Sequence, residues 1–76
     1  LWLTSPQMHG EAVQQLQEAL ASIYFYPEKG APNHGIDEYY GPNTADAVRR
    51  FQSYYGLKQD DVYGSKTREK LSQLMK

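Results

Sequence analysis

Four carboxylates stand in two adjacent pairs, Asp37-Glu38 and Asp60-Asp61. Paired carboxyl groups are the equipment of glycoside hydrolysis, one donating a proton while the other activates water or attacks. Each pair, however, opens one shared pattern, DEYYGPNT from Asp37 to Thr44 and DDVYGSKT from Asp60 to Thr67, with Asp, Tyr, Gly and Thr at matching places. Turn and helix-start chemistry accounts for every shared residue. Gly41 and Gly64 let the chain turn sharply into a helix and let backbone approach closely, and Pro42 suits a first helical position. Thr44 and Thr67 fall in the first turn, where a hydroxyl reaches back. Asp37 and Asp60 accept from amides that lack a partner within the helix, at the end its dipole makes favourable for carboxylates. Tyr40 and Tyr63 then plug each turn into the core. The motif is therefore structural, and an acid–base pair is the weaker reading.

The other chemistry-bearing side chains form no catalytic set. The chain has no cysteine, no nucleophile elbow and no His-Glu-x-x-His, and its two histidines, His9 and His34, stand in separate segments without ligand spacing. Gly64-Ser65-Lys66-Thr67 fails as a phosphate-binding loop, because the lysine does not follow the glycine directly and the upstream glycine is missing. No metal site, cofactor or enzymatic activity is expected.

Three amphipathic helices must position these residues. Val13, Leu16, Leu20 and Ile23 recur at helical spacing behind Gly10, with Glu11, Gln14, Gln15 and Glu18 between them. Ala45, Val48, Phe51 and Tyr55 form a second stripe that leaves Arg49, Arg50 and Ser53 outward and Tyr54 exposed; Gly56 in a left-handed conformation, followed by Leu57, ends it. Leu71, Leu74 and Met75 form the third. A second echo, Val-x-x-Leu-Gln ending at Gln17 and Val-x-x-Phe-Gln ending at Gln52, sets a glutamine beside two buried stripes, where each amide can pair with loop backbone. The fold class is all-α, a small three-helix bundle with two repeated turns and a long loop, YFYPEKGAPNHGID, between helices 1 and 2. A loop of that length is uncommon in a compact domain, and Tyr24, Phe25 and Tyr26 predict that it is ordered and packed.

With 76 residues the chain is a single domain, because so short a chain buries only about 60% of its unfolded surface and cannot divide its core. Its core is read over 10–75, with 1–9 as an N-terminal lead-in. Hydrophobic residues at 39% and charged ones at 22% place it in the globular range without a membrane-spanning run. Eight basic against nine acidic residues, a net charge of −1, argue against nucleic acid or an anionic membrane as partner. The start, LWLTSPQMHG, has neither a basic beginning nor a long apolar middle, so no signal peptide is read in it.

The stretches GEAVQQLQEAL, GIDEYYGPNTADAVRRFQSYYGL and DDVYGSKTREKLSQL, in this order, resemble the first helix, central signature and closing turn and helix of the bacterial peptidoglycan-binding domain family. The resemblance covers Gly10 to Leu74. It implies a three-helix, non-catalytic module that binds peptidoglycan, through the glycan strand or the stem peptide, and so holds a covalently attached wall hydrolase or related enzyme on its substrate. It further implies a monomer that is secreted, associated with the bacterial cell envelope, or part of a phage lysin. The chain departs from the family where glycine commonly follows each aspartate, having Glu38 and Asp61 instead, and in its longer loop from Tyr24 to Gly35. Sugar faces and acetamido groups call for aromatics with a few polar partners, so the expected ligand-binding residues are Tyr24, Tyr26, Asn33, His34, Glu38 and Tyr39. Two rival readings are a helical prodomain of a metalloproteinase, which FQSYYGLKQDDVYGSKTREKLSQLM also resembles but which needs a cysteine beyond Lys76, and a DNA reader using Lys66, Arg68 and Lys70.

Overall fold

The structure, a computed structural model, describes residues 1–27, 30 and 32–75, apart from the side chains of Pro32 and His34. Among the described residues three α-helices form: α1 over Glu11–Ser22, α2 over Pro42–Tyr54 and α3 over Ser65–Leu74, with a short 3₁₀ turn, Pro32–Gly35, between the first two. In α1 the buried side chains Val13, Leu16, Gln17 and Leu20 recur every three or four residues, so one stripe faces the core. In α2 the buried set is Thr44, Ala45, Ala47, Val48, Phe51 and Gln52, and α2 packs against α1. Phe51, Leu20 and Val13 are essentially inaccessible, each contributing about 1.5–3 kcal/mol by its removal from water. Phe25, Tyr55, Leu57 and Tyr63 close the rim of this core.

On α3 the buried residues are Thr67 and Leu71. Leu74 and Met75, read from sequence as part of a buried stripe, are 36% and 47% exposed. The last turn of α3 runs alongside the exposed end of α1, where Ser22 Oγ donates to Met75 Sδ at 3.5 Å, so helical spacing continues after the core it would face has ended.

Both internal helix ends are Schellman motifs. At the end of α2, Gly56 has φ 71°, its N–H donates to Ser53 O at 3.3 Å, and Leu57 N–H donates to Gln52 O at 2.8 Å. At the end of α1 the same bonds run from Tyr24 N to Ala21 O at 3.0 Å and from Phe25 N to Leu20 O at 2.8 Å. Here the left-handed residue is Tyr24, with φ 70°, and not a glycine. Phe25 folds back onto Phe51, ring centroids 5.7 Å apart.

The repeated motifs are each closed by one buried glutamine. Gln17 Nε2 donates to Asp37 Oδ1 at 3.1 Å, Tyr39 O at 3.1 Å and Thr44 Oγ1 at 2.9 Å, while its Oε1 accepts from the amides of Asp37 at 3.1 Å and Glu38 at 3.0 Å. Gln52 Nε2 repeats the pattern on Asp60 Oδ1 at 2.9 Å, Val62 O at 3.1 Å and Thr67 Oγ1 at 3.1 Å, and its Oε1 accepts from Asp61 N at 3.3 Å. The aspartates do not cap the helices: neither α2 nor α3 has a side-chain cap bond. Each instead closes an Asx turn, Asp37 Oδ1 accepting from Tyr39 N and Asp60 Oδ1 from Val62 N, both at 3.0 Å. The turning residues are Glu38 and Asp61, with φ 69° and 60°. Gly41 and Gly64 lie in extended backbone open to any residue, at φ −99° and −97°. A Cβ at Gly41 would lie 3.1 Å from the Gln7 side-chain amide, a tight contact with the end of a flexible side chain, whereas at Gly64 the nearest atom, on Val62, is 3.9 Å away. The Tyr40 hydroxyl, at the core's centre, donates to Asp61 O at 2.7 Å and ties the first motif to the second.

Residues 1–9, read as a lead-in, pair with both motifs. Tyr40 N donates to Met8 O at 2.8 Å, Gly10 N to Glu38 O at 3.0 Å and Tyr63 N to Leu1 O at 2.7 Å, with His9 and Tyr39 forming an isolated antiparallel bridge. Leu1 and Met8 pack against the core, partly buried.

Candidate functional site

The Schellman ending of α1 throws Tyr24 outward, where it is 79% exposed, and the chain then turns so that Tyr26 meets it edge-on, centroids 6.4 Å apart at 71°. Tyr24, Tyr26, Pro27 and Arg50 line a cleft of about 570 Å³, within the range of about 300–1,000 Å³ typical of ligand sites. Arg50 is held in its wall by two contacts: Nη2 donates to Tyr26 O at 2.6 Å and Nε to Asp46 Oδ2 at 2.9 Å. Asp46 also accepts from Arg49 Nη2 at 2.9 Å, and this bond, with the charge of Arg50, holds its carboxyl below the usual carboxylate range. Beside the cleft the aromatic surface continues through Phe25 to Tyr54, 5.8 Å between centroids, and to Tyr55, with Lys70 Nζ 5.2 Å from the Tyr55 ring. Tyr54 is 74% exposed.

Of the residues expected to bind ligand, Tyr24 and Tyr26 come together. Tyr39 and Glu38 lie on the first repeated turn, where the Tyr39 ring, half exposed, meets His9 at 5.3 Å instead of the loop tyrosines. Asn33, in the 3₁₀ turn at φ 53°, donates from Nδ2 to Ile36 O at 3.3 Å, which stabilises the turn. The side chain of His34 lies outside the described residues. Arg50 and Pro27 line the cleft without being among the expected residues. Arg50 reads as one more outward charge on α2, and nothing local in the sequence says that the distant residue Tyr26 brings its carbonyl to the guanidinium.

A second concavity, of about 530 Å³, runs between α1 and the start of α3, with Leu16, Ala19 and Leu71 below and Gln15, Tyr63 and Arg68 at its edges. Burial pushes the Tyr63 phenol up. Among the described residues no group of three or more His, Asp or Glu side chains gathers as a metal site would need, and no helix is long and apolar enough to cross a membrane.

These features define a small three-helix bundle with an aromatic cleft at one loop. The family model described as "Putative peptidoglycan binding domain" matches residues 9–71, and the chain belongs to that family. The N-acetylmuramoyl-L-alanine amidase CwlL of Bacillus licheniformis is 61% identical over 72 residues, which take in 95% of this chain and 20% of that protein. CwlA, an N-acetylmuramoyl-L-alanine amidase of Bacillus subtilis strain 168, is 65% identical over 72 residues, 95% of this chain and 26% of that protein. The chain thus spans about a fifth to a quarter of these curated relatives. The crystal structure of the SleB N-terminal domain superimposes with a TM-score of 0.77 at 33% identity, covering 91% of this chain and 86% of that one.

Proposed function

We propose that this chain is the non-catalytic module that holds a bacterial cell-wall amidase, or a related wall enzyme, on peptidoglycan. The observation that carries the reading is the family match over residues 9–71, supported by relatives that are wall amidases and of which the matched part is a minor share. Such a module needs only modest affinity, because tethering makes the catalytic encounter effectively intramolecular. It acts as a monomer, outside the cytoplasm or as part of a phage lysin, and it engages the glycan strand or the stem peptide. The amidase relatives favour this reading over a metalloproteinase prodomain or a DNA reader. The test is cosedimentation of the 76-residue chain with purified, protein-free sacculi, with chitin as the control polysaccharide. Saturable retention by sacculi is expected. Retention by neither material, or salt-sensitive retention on DNA alone, would overturn the proposal.

A further inference from the structure

From the geometry at the end of α1 we infer that the cleft of Tyr24, Tyr26, Pro27 and Arg50 takes the glycan strand of the wall, a sugar ring stacking on Tyr24, and not the stem peptide. This rests on the wall-binding reading and narrows it to one ligand class and one site.

Tyr24 carries backbone strain. A left-handed residue at this helix end is ordinarily glycine, because a side chain at positive φ clashes with the following carbonyl. The equivalent position after α2 is Gly56, at φ 71°, whereas after α1 it is Tyr24, at φ 70°. Tyr24 recovers little of that cost by burial, being 79% exposed, with its edge-on contact to Tyr26 as its ring partner. A strained, exposed aromatic with so little structural return points to a contact outside the chain.

The charges at the cleft point the same way. A stem peptide brings carboxylates, which call for a cation with charge to spare. Arg50 already meets Asp46 at 2.9 Å and the Tyr26 carbonyl at 2.6 Å. A pyranose instead presents an apolar C–H face to a tyrosine ring and neutral hydroxyl and acetamido groups to the cleft edge, and it asks for no unpaired charge. Tyr54, 74% exposed on the far side of Phe25, extends the platform along the direction a strand would follow.

The test uses Tyr24→Gly, which suits φ 70° and keeps the helix end, so that its thermal midpoint should match or exceed that of the parent chain. Three probes are compared by titration: intact sacculi, glycan strands freed of stem peptides, and free stem peptides. Covering about 60 Å² of ring face corresponds to about a tenfold change in affinity. The parent chain is expected to bind sacculi and stripped strands, and Tyr24→Gly to bind both about tenfold more weakly. Binding to sacculi and free stem peptides but not to stripped strands would overturn the glycan inference and leave wall binding intact. Equal binding of stripped strands by Tyr24→Gly and the parent would overturn the role of Tyr24. No binding to sacculi would remove the wall-binding reading, and this inference with it.

Discussion

Replacing Gln17 with leucine should reveal how much of this fold hangs on one amide. Leucine fills nearly the same volume, so the loss is one of hydrogen bonds and not of packing. The amides of Asp37 and Glu38 would lose their acceptor, Gln17 Oε1. Tyr39 O would keep a long contact from Thr44 Oγ1 at 3.4 Å, and Asp37 Oδ1 would keep the amide of Tyr39. The damage is therefore two stranded donors at about 1–2 kcal/mol each, the low end because the turn is partly solvated, or about 2–4 kcal/mol in all. A domain of this size has roughly 4–11 kcal/mol of total stability, so the thermal midpoint should fall by roughly 10–30 °C. Gln52→Leu strands one amide, that of Asp61, through a 3.3 Å bond, and should cost about half as much. The assay is denaturant unfolding of both variants followed by far-UV circular dichroism. A loss below about 1 kcal/mol in Gln17→Leu, or a larger loss in Gln52→Leu, would refute the account of the paired locks.

Two further perturbations follow from the same geometry. Burial, then the negative charges of Asp61 and Asp60, push the Tyr40 phenol above its ordinary value of 10.0. The stability it lends is therefore fully present below about pH 10 and lost as pH rises beyond it. Tyr40→Phe should cost about 1–2 kcal/mol at neutral pH, because Asp61 O loses its donor. It should also flatten the alkaline limb of an unfolding series, and an unchanged limb would contradict this. Glu38→Gly relieves a left-handed residue at φ 69° and should raise stability by up to about 1 kcal/mol after the extra freedom of glycine in the unfolded chain is counted; a destabilised variant would show that Glu38 makes a contact that outweighs the strain.

The helices were legible because their signals are local: Val13, Leu16 and Leu20, or Val48 and Phe51, declare a buried face by spacing alone. The glutamine echo at Gln17 and Gln52 was legible for the same reason, since each sits one residue past a buried stripe position. What each aspartate does was not, because an Asx turn and a helix cap use the same residue a few positions ahead of the same helix. The departure from glycine at Glu38 and Asp61 is visible in the sequence, but that both residues adopt the left-handed conformation is not. The segment 1–9 carries no periodicity, and its bonds to Tyr40 and Tyr63 join residues far apart in the sequence. At the candidate site, the aromatic content of the loop pointed to Tyr24 and Tyr26, whereas Arg50 and the separation of Tyr39 from them depend on the loop's path across α2.

The central claim is that wall ligand is read at the end of α1. Its most direct test is amide chemical-shift mapping of the ¹⁵N-labelled chain titrated with solubilised glycan fragments from sacculi. The account predicts perturbations concentrated at Tyr24, Tyr26 and Arg50, extending to Tyr54. Perturbations confined to the groove of Leu16, Tyr63, Arg68 and Leu71, with the loop tyrosines unmoved, would contradict it.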